Sequence, residues 1–131
     1  MVQFSFGATT TAFLPGTVSV TDKEAFEDVI FSGQIVAPTD TVTSAAVDVG
    51  NCSKISVLMS ATDNMTIYPQ FSDDNLNFYD LKTAADANVT FNCNNEKICM
   101  PIDVHGHYFR IVAKNFGSGN STVNAVIASM V

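Results

Sequence analysis

The only two histidines in the 131 residues are His105 and His107, which flank Gly106. Residues two apart on an extended segment project to the same side. Such a pair would bind a metal ion with a third ligand such as Asp103, or it would serve as a plain polar turn at a strand entrance. Ser72-Asp73-Asp74-Asn75-Leu76-Asn77, followed by Asp80, gathers the oxygen ligands that calcium takes. EF-hand spacing is absent, and Asx turns use the same residues to satisfy their own backbone. Nucleophilic catalysis needs a base within hydrogen-bond reach of the nucleophile, and the chain has no Gly-x-Ser-x-Gly elbow. Among the thirteen acidic residues no pair announces the two-carboxylate arrangement of a glycosidase. The expectation is a chain with no catalytic centre, no cofactor and no resident metal, in which His105, His107, Asp73 and Asp74 are the metal-ligand candidates.

Tyr68, Tyr79 and Tyr108 are candidates for a sugar-stacking platform, since a tyrosine offers an apolar face with a polar tip. Tyr68 and Tyr108 fall on the outward phase of their strands. Cys52, Cys93 and Cys99 form an odd, unevenly spaced set that argues against a secreted disulfide framework. If Phe91 and Cys93 share one strand face, and Ile98, Met100 and Ile102 point to the core from the next strand, Cys99 faces the opposite way and Cys93 is a buried free thiol. No Cys-x-x-Cys pair supports a zinc knuckle. The Asn-x-Ser/Thr acceptors at Asn51, Asn64, Asn88 and Asn120 read as by-products of an Asn- and Thr-rich surface.

Composition narrows the function classes. The formal net charge is −7, and the six Lys and Arg are scattered singly, so no basic cluster can neutralise several phosphates at once. Nucleic acid and anionic membranes are therefore excluded as expected partners. Charged residues make up 15% of the chain, against roughly 25% in an ordinary soluble domain. A surface made instead of Thr, Ser, Asn and Ala suits packing against neighbours. Met1-Val2-Gln3-Phe4-Ser5-Phe6 lacks the basic start and apolar core of a secretory signal, so the expectation is synthesis in a cytoplasm without export.

Short apolar alternation, broken by Gly, Pro, Asn and Asp every ten or so residues, predicts an all-β antiparallel sandwich, jelly-roll-like, of about eight to ten strands. The expected strands are Val2–Phe6, Thr17–Val20, Gln34–Ala37, Thr41–Val49, Lys54–Ser60, Met65–Phe71, Phe78–Leu81, Asn88–Cys93, Lys97–Ile102, His107–Lys114 and Thr122–Met130. Thr21–Phe31 reads two ways. Thr21 or Asp22 can cap a helix whose Ala25, Phe26, Val29 and Ile30 fall at helical spacing, so one short helix is predicted near residues 22–31; Asp28-Val29-Ile30-Phe31 also reads as extended. Length predicts a single domain over 1–131, with residues 1–20 as a peripheral arm that reaches a neighbour. The last strand is apolar on both faces: Val123, Ala125 and Ile127 on one, Val126, Ala128 and Met130 on the other. It is expected to be covered on both sides, with Val126 and Met130 meeting another segment or another subunit.

Ile67-Tyr68-Pro69-Gln70-Phe71-Ser72-Asp73-Asp74-Asn75-Leu76-Asn77-Phe78-Tyr79-Asp80-Leu81, followed by Gly106-His107-Tyr108-Phe109-Arg110-Ile111-Val112-Ala113-Lys114-Asn115, resembles a pattern of small β-sandwich virion proteins of tailed bacteriophages. In that pattern a strand enters a Ser-x-Asp-Gly turn with an aromatic beyond it, and a later strand carries an aromatic, an Arg and a closing Asn. Asn75 stands where the pattern has Gly, and Phe78 where it has Trp. The resemblance covers roughly residues 50 to 131. It implies a head decoration (cement) protein, often a homotrimer seated on the major capsid protein in the virion, or else a tail component. Arg110 would then anchor to an acidic neighbour, or pair with an acid of its own subunit. The alternative is a non-catalytic glycan- or host-surface-binding module using Tyr68, Tyr79 or Tyr108.

Overall fold

A computed structural model describes residues 26–130, which form two antiparallel sheets. In chain order the strands are β1 (Glu27–Val36), β2 (Thr41–Thr43), β3 (Val47–Asp48), β4 (Lys54–Ala61), β5 (Met65–Ser72), β6 (Tyr79–Asp80), β7 (Phe91–Cys93), β8 (Glu96–Asp103), β9 (Tyr108–Asn115) and β10 (Ser121–Met130). One sheet runs β1-β10-β4-β8; the other runs β2-β9-β5-β6, with β3 also on β9 and β7 also on β5. The fold is the expected all-β sandwich. The expected strands Val2–Phe6 and Thr17–Val20 and the N-terminal arm lie outside the described residues.

Period-two burial builds the core between the sheets. Ile55, Val57 and Met59 of β4 are buried, as are Met65, Ile67 and Phe71 of β5, Phe109, Ile111 and Ala113 of β9, and Val123, Ala125 and Ile127 of β10. In each of these strands the buried residues named stand on one phase of the alternation, with the outward residues between them. Cys93 is fully buried and Cys99 is exposed, as the opposite phases of β7 and β8 require, and no disulfide joins any of the described cysteines.

Residues 26–31 are extended and not helical, which corrects the helix expected near residues 22–31; residues 22–25 lie outside the described part. The physical reason is a broken register. β1 pairs with β10, but the pairing slips between Val29 and Phe31 and again between Phe31 and Gln34. Bulges put extra residues in one strand and disturb strict alternation, so Ile30 and Phe31 are buried side by side. That spacing imitates a helix in the sequence. Gly33, at φ +58, occupies the second irregular stretch, a backbone conformation that only Gly adopts at little cost.

Asn115, at the end of β9, is fully buried. Its amide donates to the carbonyls of Val36 and Gly119, each at 2.8 Å, and its Oδ1 accepts from the N–H of Gly117 at 2.7 Å. The closing Asn of the sequence pattern is thus a clasp between β9, the end of β1 and the loop into β10. Asn75, which replaces a pattern Gly, has φ +60, a region that Asn tolerates better than other side-chain-bearing residues.

Candidate interaction surface

β10 lies between β1 and β4, so its outward residues form the middle of a four-stranded face. Register places Val29 beside Val126, Val126 beside Leu58, and Leu58 beside Cys99. Side chains at directly paired positions share one face, so these four make an apolar row across the whole outer sheet. Val29 is 64% exposed and Leu58 48% exposed. Ala128, Ser56 and Pro101 form the next row on one side, and Asn124, Ser60 and Lys97 the row on the other. An open groove of about 430 Å³ runs along Leu58, Ser60, Lys97, Cys99, Asn124 and Val126. Lys97 is the single charged residue among the described residues that line it.

Val126, expected at a contact, is therefore in the centre of this face and half-buried. Met130 belongs to β10 by its backbone, and its side chain lies outside the described part. Val29 and Leu58 escaped the sequence reading. Val29 was absorbed into the candidate helix, whereas Leu58 carried a usable signal: it is the one apolar residue in the outward phase of Lys54, Ser56, Leu58 and Ser60.

Arg110 lies on the outer face of the other sheet, directly paired with Gln70. Its Nε donates to Gln70 Oε1 at 2.8 Å, the Gln70 amide donates to Asp80 at 2.9 Å, and the guanidinium carbon lies 3.9 Å from the centre of the Phe78 ring. Within its own subunit, Arg110 thus stacks on the aromatic that stands in the Trp position and reaches the acid through an amide. Tyr68 pairs with Val112, and Tyr108 with Ser72, on this same outer face. Tyr79 pairs with Phe71, which is an inward position, so the three tyrosines do not share one platform.

Phe71 is 6% exposed, but Tyr79 is 70% exposed, because β6 is a two-residue edge strand. Tyr79 lines a cleft of about 180 Å³ together with Phe71, Asp73, Asp80, Lys82 and His105.

The two histidines do not project to one side, because residues 104–107 are not a regular strand. His105 meets the Phe71 ring edge-on at 5.8 Å, on the β5 side of β9. His107 lies on the β3 side, where Nε2 is 3.2 Å from Asp48 and its ring meets that of Tyr108 at a tilt of 57°, with centroids 4.7 Å apart. Asp74 is engaged in its own turn: it accepts from the N–H groups of Leu76 and Asn77 and from the Asn77 amide, and Ser72 Oγ is 3.0 Å away. The backbone N–H of Asn77, then that of Leu76, then the Asn77 amide hold its carboxyl well below the usual carboxylate range. Among the described residues, no three His, Cys, Asp or Glu stand together as metal ligands. No described helix is long and apolar enough to cross a membrane.

No protein-family model matches the chain, and no curated protein matches it. Among solved structures, the chain is similar to the PBSX exported protein XepA, with a TM-score of 0.62 and 14% identity over 86% of this chain; it spans 39% of XepA's length. It is also similar to the SPBc2 prophage-derived protein YomS, with a TM-score of 0.50 and 17% identity over 85% of this chain and 100% of YomS. At these identities the likeness is one of fold.

Proposed function

We propose that this chain is a structural virion protein of a tailed phage, a decoration or cement subunit that binds the assembled head as a homo-oligomer. The observation that carries this reading is the bare row Val29–Val126–Leu58–Cys99 across a complete sheet. A contiguous exposed apolar patch marks an interaction site, and closed symmetric association is the common way to cover one. The sequence pattern around Ser72–Asp80 and Tyr108–Asn115, and a fold shared with a protein named as prophage-derived, supply the virion context. No catalytic group enters the reading, and a trimer is the expected number of copies. Light scattering at micromolar concentration, followed by co-sedimentation with assembled capsids of the encoding virus, tests it. Oligomers that pellet with capsids support the reading; a monomer that leaves capsids bare rejects it.

One observation favours a second reading, glycan binding. Tyr79 is an inward-phase aromatic that the opposite sheet leaves uncovered, beside Asp73 and His105 in the small cleft. A glycan array probed with the native protein and with Tyr79→Ala tests this. Signals lost in the variant support it, and a blank array at high protein concentration rejects it.

A further inference from the structure

The groove over Leu58 and Val126 calls for an apolar occupant with little charge, and the chain carries a segment of that chemistry. Residues 1–20 contain no Asp, Glu, Lys, Arg or His, and they bring Val2, Phe4, Phe6, Phe13, Leu14 and Val20. This segment leads into the sheet that owns the groove. Phe26 N–H donates to Ser129 Oγ at 2.8 Å, and the Phe26 carbonyl accepts from Ser129 N–H at 3.0 Å, fastening the entry point to β10.

We infer that the groove of one subunit receives residues 1–20 of a neighbouring copy, an exchange that rests on the homo-oligomer reading above. Charge favours the segment over the body of a second copy. Because residues 1–20 contribute no charged side chain, the whole formal charge of −7 belongs to residues 21–131. Pressing two such bodies face to face brings like charges together; the segment brings none. Reach is ample. Twenty residues span up to about 65–70 Å, several times the roughly 15 Å across a four-stranded sheet at the ordinary strand spacing, so the segment is long enough to pass beyond its own sheet. The single lysine at the groove, Lys97, has a long stem that can lie against an apolar occupant while its ammonium stays in water.

The native Cys99 reports on occupancy, because it is exposed and lines the groove. Phe6→Cys and Phe13→Cys, each made singly in the full chain, are oxidised mildly with diamide and run on a non-reducing gel, with mass spectrometry of the linked peptides. The expected product is a two-chain species joined through Cys99, absent in the Cys99→Ser background and reduced at least five-fold by Leu58→Glu. Light scattering of the same samples separates the two claims. A monomer rejects the homo-oligomer reading itself. An oligomer in which neither cysteine links to Cys99, or links only within one chain, overturns the exchange and leaves that reading standing.

Discussion

The side-chain amide of Asn115 donates to the carbonyl of Val36 at 2.8 Å, a buried hydrogen bond that ties one sheet of the sandwich to the other. Two further bonds, to Gly119 and from Gly117, make Asn115 the hub for three backbone groups. Leaving buried polar groups without partners costs about 1–3 kcal/mol each. Asn115→Ala is expected to lower the unfolding free energy by about 3 kcal/mol, measured by urea denaturation. A change below about 0.5 kcal/mol, the size of an ordinary surface effect, would show that the clasp does not hold the sheets.

Leu58 and Met59 are sequence neighbours on opposite faces of β4: one is 48% exposed and the other is buried. Met59→Ala removes core packing and is expected to cost about 2–5 kcal/mol. Leu58→Ser is expected to change monomer stability by no more than about 0.5 kcal/mol, while shifting the proposed homo-oligomer toward monomer by light scattering. If the two variants destabilise equally, the outer face is not bare.

Cys93 and Cys99 should react with a thiol reagent at different rates in the native protein. Burial, and then the negative charge of Glu96, push the Cys93 thiol up, and it is the thiolate that reacts. Cys99 is exposed. Ellman's reagent is expected to modify Cys99 at once and Cys93 only after denaturant is added. Prompt native modification of Cys93 would contradict the placement of β7 against the core.

Asp74 sets an acid-side dependence of stability. Its folded carboxyl is held well below the usual range by the N–H groups of Asn77 and Leu76, so folding binds fewer protons at this site than the unfolded chain does. The contribution is fully present above the unfolded value of about 3.9, declines as pH falls below it, and is lost once pH passes the depressed folded value. The stability gap between the native protein and Asp74→Asn is expected to shrink between pH 6 and pH 3 in thermal melts. A gap that does not change over that interval would mean that the Asp74 carboxylate is not favoured in the folded turn.

Strands with regular alternation were legible in the sequence almost residue for residue. Lys54–Ala61, Met65–Ser72, Glu96–Asp103 and Tyr108–Asn115 each end within one residue of where apolar phase and turn chemistry place them. β1 was legible only in part: the expected strand Gln34–Ala37 and the extended alternative for Asp28–Phe31 both fall on it, but register slips at Val29/Phe31 and Phe31/Gln34 break the period that would have joined them. The same failure hid part of the candidate surface. Val29 belongs to a row defined by pairing between β1, β10, β4 and β8, and cross-strand register over long sequence separations leaves no local mark. Histidine geometry was misread for a related reason: the two-residue rule holds for extended chain, and residues 104–107 are not a regular strand. The Ser72–Asn77 turn was read correctly as one option of two, because Asx chemistry is local.

β1 is irregular at its two register slips, and β8 contains Pro101. These strands form the two rims of the four-stranded sheet, and a straight rim with free amide groups invites ribbon-like polymerisation. Gly33 bends one rim, and Pro101 removes a donor from the other. Open-ended association through the sheet edges is thereby disfavoured at high protein concentration.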